Sequence, residues 1–317
     1  MIRGESLDRI ASYAYVPEHI PAYVSSVTMA EPFLLGAYLC YVRGDHLAFI
    51  GYPLDRESTG EEMEMALRQA LREFRPKSLS LVSGDISPGL EKGIGTRGGP
   101  SHRKRGKERP WGAGGPTKSG QSPLWLEAKD MQAPDWYYRL ELARLRVPPK
   151  VANMIRRASR EVRVERGGTL GPEHESMIQS FLYSRPMDPG TQEIFQHVPH
   201  YVNSVSTARL YSALDARGRL VAFDVGEFGA EGYAFYMFNF RSLDALVPGA
   251  SDLLLHEMIK EARASGKAFL NLGLGINPGV SYFKEKWGGV RFLPYRFGLY
   301  GTRGIGVLDM LMGRSLW

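Results

Sequence analysis

The chain has 317 residues, of which 43% are hydrophobic and 11% aromatic, with a net charge of +6. That length allows one large domain or two of ordinary size, and that apolar content excludes global disorder. A single cysteine, Cys40, excludes an internal disulfide framework and a thiolate-rich zinc site.

No segment approaches the roughly 18 consecutive apolar residues of a membrane-spanning helix. The N-terminus has no apolar core behind a basic start, so no signal peptide is expected and the chain reads as cytoplasmic. Peripheral contact with a membrane stays open at this point. Cys40 lies in the run Leu39-Cys40-Tyr41-Val42 and is expected to be a buried strand residue rather than a nucleophile.

Taken in order, Leu35 to Val42 is apolar and β-rich, and Arg43-Gly44-Asp45 is a turn signal. His46 to Tyr52 completes a hairpin. Ser58 or Thr59 caps a helix whose first turn holds Glu61 and Glu62, and Met63, Leu67, Ala70, Leu71 and Phe74 repeat at helical spacing. Ser78 to Val82 is a short buried strand. Residues 92–120 hold eight cations and one acid, Glu108, so they carry +7 and leave the rest of the chain near −1. Rich in glycine and poor in aliphatic side chains, this stretch reads as a flexible insertion.

Beyond it, Tyr137 to Leu145 is strand-like and Pro148 or Pro149 opens a helix through Arg160. A short strand follows, then a helix over about 172–183. Leu210–Leu214 and Leu220–Phe228 form a second hairpin, and Tyr233–Phe240 a further strand. Pro248-Gly249-Ala250-Ser251 leads into a helix stopped by Gly266, and Ala268–Leu272 is the next strand. Hairpin, helix and strand thus occur at 35–82 and again at 210–272, a weak internal repeat in order only. The chain divides into residues 1–92, the insertion 93–123, a second unit 124–304 and a helical tail 305–317.

Three stretches of the second unit carry a family resemblance. They are Pro149–Val164 (PKVANMIRRASREVRV), Tyr233–Gly273 with its helix ASDLLLHEMIKEARASG, and GINPGVSYFKEKWGG. In this order they resemble the N-acetyltransferase-like (GNAT) fold in its Fem-type aminoacyl-transferase branch. They are also similar to the C-terminal domains of lysyl-phosphatidylglycerol synthases. The resemblance implies an α/β (α+β) fold of tandem GNAT-like domains, each a mixed, mostly antiparallel sheet flanked by helices. It implies an acyl- or aminoacyl-transferase with no tightly bound cofactor, using aminoacyl-tRNA or acyl-CoA as co-substrate and an amine or hydroxyl as acceptor. The stretch before the central helix, Leu246-Val247-Pro248-Gly249-Ala250-Ser251, has one glycine and no arginine, a poor pyrophosphate cradle. Aminoacyl-tRNA is therefore favoured over acyl-CoA. The cations of residues 97–118 are a candidate contact for tRNA or another anionic donor, and a membrane or lipid-linked acceptor is a further expectation.

The resemblance places its phenylalanine-lysine pair on Phe283-Lys284, with Lys284 neutralising charge at the reacting centre. A surface lysine is the plain alternative. Backbone N–H groups near Met237, Phe238 and Asn239 are expected to face the developing oxyanion. Asp224 and Glu227 are candidate bases on opposite faces of one strand, one in a polar pocket and one in solvent. Tyr236, Asn239, Arg241, Asn271, Tyr282 and Phe283 are candidate substrate contacts. Arg185 and Asp188 suit a turn closed by their own ion pair. Arg156, Arg157 and Arg160 form a basic helix face, and His197 and His200 lack the company a metal site needs.

Overall fold

The computed structural model describes residues 4–55, 57–84, 127–167 and 169–301. The whole of the basic insertion 93–123 and the tail 305–317 lie outside the described residues. An N-terminal segment of α1 (Gly4–Ser12), a 3-10 turn (Pro17–His19) and α2 (Pro21–Thr28) precedes a meander of β1 (Glu31–Leu35), β2 (Tyr38–Arg43) and β3 (His46–Ile50). Then come α3 (Gly60–Phe74) and β4 (Ser78–Ser83). The second half runs β5 (Glu127–Met131), β6 (Asp135–Glu141), α4 (Pro149–Ala158), β7 (Val162–Gly167), α5 (Pro172–Tyr183) and α6 (Pro189–Ser204). It ends with β8 (Ala208–Asp215), β9 (Leu220–Glu227), β10 (Tyr233–Arg241), α7 (Ala250–Ala264), β11 (Phe269–Leu274), α8 (Pro278–Lys286) and β12 (Val290–Gly301).

The strands form one sheet in the order β1-β2-β3-β4-β12-β6-β11-β10-β9-β8-β7, with β5 also on β12. The repeat is real and longer than a hairpin. A three-strand meander (β1–β3, β8–β10), a helix (α3, α7) and a parallel strand (β4 on β3, β11 on β10) occur in each half. β12 stitches the halves together: Val290–Tyr295 pairs with β6, and Arg296–Gly301 pairs with β4.

The expected strand Leu35–Val42 is two strands. Gly36 has φ +60°, a left-handed conformation that costs glycine little, and it turns the chain between β1 and β2. Thr59 caps α3 in a reciprocal pair with Glu62, as its sequence predicts. The strand expected over 137–145 starts at Asp135 and stops at Glu141. The loop expected over Arg185–Gly190 is present over residues 185–188, and Pro189 and Gly190 already open a long helix that Asp188 caps. Asp188 accepts hydrogen bonds from Thr191 N (3.0 Å) and Thr191 Oγ1 (2.7 Å), while Arg185 stacks on Phe181 at 4.6 Å. Helix capping therefore replaces the expected ion pair.

The apolar core divides by sheet face. In the second half, α4 and α7 cover one face with Val151, Leu254, Met258, Ile259 and Trp287. Helices α5 and α6 cover the other, where Ile178, Val198 and Tyr201 meet Phe223 and Phe240 of the sheet. In the first half α3 packs on Leu47, Phe49, Leu79 and Leu81. The N-terminal segment fills the joint, where Val16, Ile20 and Val24 meet Tyr41, Tyr137, Phe235 and Phe297.

Glu18 is buried in that joint. Tyr137 donates to its Oε1 at 2.7 Å, and Tyr41 donates to its backbone carbonyl at 2.7 Å. Burial pushes its carboxyl from 4.5 up to about 7. Because the folded value is the higher one, wild-type stability falls as pH rises from about 4.5 to about 7. Thermal denaturation of Glu18→Gln is expected to show a gain over wild type that is larger at pH 8 than at pH 5, by roughly 1–3 kcal/mol. A difference independent of pH would show an ordinary carboxyl.

Candidate functional site

The second half has an opening that the first half lacks. β10 and β11 pair in parallel only over Tyr233–Phe235 and Phe269–Asn271. Beyond that both strands carry a register shift, β10 between Tyr236 and Phe238 and β11 between Asn271 and Gly273. Bulges bend a strand and end its pairing, so the two strands part and leave one edge of β10 without a paired strand among the described residues from Tyr236 onward. In the first half β3 and β4 pair from His46–Ser78 to Ile50–Val82, and Gly51 N adds a further bond to Val82 O at 2.6 Å. No such wedge is present there.

Lys284 enters the wedge from α8. A Cβ placed on Gly273 would lie 3.6 Å from its Nζ and 4.0 Å from the Tyr236 carbonyl oxygen, so the amine sits between the parted strands. The residue is 4% exposed, which overturns the surface-lysine alternative. Its Nζ donates to the Leu274 carbonyl and lies 5.9 Å from the Tyr138 ring centre. Burial lowers its pKa from 10.5 to about 7, against the opposing field of Asp135. Asp135 also shapes the loop after β11, accepting from Gly275 N (3.1 Å) and Ile276 N (2.8 Å).

A polar cluster adjoins the wedge at the start of α7. Because of the β10 bulge, Asn239 stands opposite Asp224 on the face that also carries Tyr236. Asn239 Nδ2 donates to Asp224 Oδ1 at 2.6 Å, and the Tyr236 phenol reaches the same oxygen at 3.4 Å. Ser251, in the first turn of α7, exchanges hydrogen bonds with Asn239. Asp224 is 0% exposed, and burial holds its carboxyl well above the usual carboxylate range, with Asp252 adding to the effect. Asp252 accepts from Trp287 Nε1 at 2.9 Å and pairs with Lys286 at 2.7 Å. Tyr236 stacks on Phe283 with ring centres 6.3 Å apart, and so links the cluster to the lysine.

Several expected site residues fall elsewhere. Glu227 is also fully buried, so neither acid of β9 faces solvent. Its Oε2 accepts from Tyr201, and its Oε1 from Phe228 N (3.0 Å) and Gly229 N (2.8 Å), so both oxygens are engaged by structural donors. Asn271 faces the N-terminal segment. It donates to Tyr15 O at 2.9 Å and accepts from Gly273 N at 2.7 Å, pinning the β11 bulge. Arg241 is exposed at the end of β10 and Tyr282 is exposed on α8. Arg156, Arg157 and Arg160 are likewise exposed on and just after α4. His197 turns Nδ1 to the Glu193 carbonyl of its own helix at 2.9 Å. Asp135, Ser251, Asp252 and Trp287 were missed. Asp252 reads locally as an acid complementing a helix N-terminus, and only Trp287 carried a signal, its place beside the paired glycines.

The start of α7 does not resemble a phosphate cradle. Gly249 has φ +87°, and a Cβ there would lie 2.5 Å from the Met154 carbonyl oxygen. The glycine therefore serves close approach of α4 to α7, and two carboxylates stand behind it.

No sequence-family profile and no curated protein matches the chain. Solved structures do. The C-terminal domain of a candidate lysylphosphatidylglycerol synthetase from Agrobacterium fabrum is 13% identical, covering 97% of this chain and 92% of that one, with a TM-score of 0.54. L-PGS from Bacillus licheniformis is 14% identical over 99% and 96%, with a TM-score of 0.53. FemX is 10% identical over 93% and 96%, with a TM-score of 0.55. At such identities the likeness concerns the fold, and it extends over nearly the whole of each chain. Together with the two meander–helix–strand units, it shows that the chain has the tandem GNAT-like fold that its sequence resembles.

Proposed function

We propose that this chain is an aminoacyl-transferase whose reacting centre is the wedge between β10 and β11. The observation that carries the reading is Lys284, a buried amine held between two parted strands with its pKa lowered to about 7. An acyl ester placed in the wedge meets the open edge of β10, whose backbone N–H groups suit a developing oxyanion. The protonated lysine adds positive charge at the same point. As negative charge builds on the carbonyl oxygen, the proton is held more tightly on Nζ, so stabilisation grows toward the transition state.

The donor is read from the start of α7. Met154 covers Gly249, and Asp224 and Asp252 stand where a CoA pyrophosphate would need donors. An aminoacyl ester brings no pyrophosphate to that point. The cations of residues 97–118, outside the described residues, supply the charge for a tRNA contact, and that contact weakens as salt rises.

The test offers the protein bulk tRNA charged with radiolabelled amino acids and, separately, radiolabelled acetyl-CoA. Both are presented with mixed acceptors that include phospholipid vesicles and small amines. Label is expected to leave tRNA and appear on an acceptor. Transfer from acetyl-CoA alone would replace this reading with the acyl-CoA one, and transfer from neither would favour a binding protein.

A further inference from the structure

One peptide group connects Lys284 to a second charged residue. The Lys284 amine donates to the carbonyl of Leu274. The N–H on the other side of that same peptide bond belongs to Gly275, and it donates to Asp135 Oδ1 at 3.1 Å. In a trans peptide the two groups point in opposite directions. The carboxyl group from β6 and the amine from α8 therefore grip one peptide unit from its two sides. A carboxylate on the N–H polarises the peptide and makes its carbonyl a better acceptor for an ammonium.

The rest of the loop keeps this grip in place. Asp135 Oδ2 accepts from Ile276 N at 2.8 Å, and Oδ1 also accepts from Trp136 N at 2.7 Å. Gly275 admits the approach, since a Cβ there would stand 2.6 Å from Asp135 Oδ1 and 2.9 Å from Ser281 Oγ. Ile276 has φ +58°, a left-handed conformation that β-branched residues rarely adopt. Its side chain is 75% exposed, so packing offers it little in return. The bond from its N–H to Asp135 holds the strained backbone, and strain held by such over-determination is characteristic of functional loops. Asn277, next in the chain, caps α8 by accepting from Val280 N at 3.0 Å, so the same loop sets where the lysine's helix begins.

The other charged and titratable groups around the amine are engaged elsewhere. Lys286 of α8 pairs with Asp252 of α7. Glu285 of α8 and Arg291 of β12 meet on the Tyr138 hydroxyl of β6. The Tyr236 phenol of β10 turns to Asp224 of β9. Burial lowers the proton affinity of Lys284, and Asp135 is the charged group that opposes it.

We infer that Asp135 is the positioning residue for Lys284: through the Leu274–Gly275 peptide it holds the amine in the wedge and favours its protonated form. The inference rests on the transferase reading given above only for the use made of the lysine.

The test labels the full chain with a trace of acetic anhydride from about pH 5 to about pH 10 and reads Lys284 and Lys286 separately by fragment-ion mass spectrometry. Lys284 is expected to reach half of its limiting reactivity at about pH 7 in wild type. In Asp135→Asn, which keeps an acceptor for Gly275 N and loses the charge, that midpoint is expected about one unit lower. Gly275→Ala pushes the carboxyl group aside without removing it, and is expected to lower the midpoint as well. It decides the question if Asp135→Asn does not fold. The Lys286 profile is expected to coincide in all three proteins. An unchanged Lys284 midpoint in either folded variant, or a Lys286 profile that moves with it, overturns the assignment. At pH 7 a fall of about one unit takes the protonated share from about a half to about a tenth, so transfer from charged tRNA is expected to slow about fivefold, in kcat rather than KM. The two readings fail separately. A midpoint that moves while transfer does not removes Lys284 from the reaction and keeps its control by Asp135, whereas an unmoved midpoint removes Asp135 and leaves the enzyme reading intact.

Discussion

Lys284→Met is expected to lower aminoacyl transfer by about 10²–10³-fold, the usual loss when a charge stabiliser of an oxyanion is removed, while making the protein more stable. The folded pKa of Lys284, about 7, lies below its ordinary 10.5. Between those values the unfolded chain binds the proton and the folded chain does not, so wild-type stability falls as pH drops from about 10.5 toward about 7. Methionine fills a similar volume without that penalty, although it leaves the Leu274 carbonyl without its donor. The net gain is expected to be roughly 1–3 kcal/mol at pH 6 and to shrink toward pH 10. Thermal melts across pH measure it. A variant less stable than wild type at pH 6 would show that the lysine supports the fold rather than strains it.

Trp287→Ala is expected to have the largest effect on folding. Trp287 is fully buried among the side chains of α4, α7 and β11, and its indole N–H satisfies Asp252. Truncating it leaves a cavity and strips a buried carboxylate of a donor, together about 3–5 kcal/mol. Trp287→Phe keeps most of the volume and loses only the hydrogen bond, about 1–2 kcal/mol. Denaturant unfolding of the pair separates the two contributions. Equal losses would mean that the indole N–H, not the volume, holds α8 in place.

The fold was legible where periodicity and punctuation agree. The helices at 60–74 and 250–264 show regular apolar spacing and clear ends, and each is followed at once by a strand that pairs in parallel with the strand before the helix. Gly36 hid a strand boundary, since an isolated glycine in an apolar run does not announce its φ. The N-terminal helices passed unread because their apolar residues serve the joint between halves, a tertiary partner invisible locally. The site was legible in its lysine and little else. Lys284 stands three residues before Trp287, one helical turn, and is buried like it, whereas Lys286 is half-buried and pairs with Asp252. That spacing could have separated the two lysines. The bulge at Met237 could not have been foreseen, and it alone puts Asn239 opposite Asp224 and beside Tyr236. A one-residue insertion inverts every later side chain of a strand without changing its composition. Asn271 was misassigned for the same reason: the β11 bulge, not the alternation, sets where it points.

The most direct test of the Lys284 centre is the pH dependence of transfer from charged tRNA at limiting donor. If the protonated amine stabilises the reacting carbonyl, the rate falls as pH rises through about 7 and the dependence disappears in Lys284→Met. A wild-type rate that is flat or rising through that range, or a variant as fast as wild type, would contradict it.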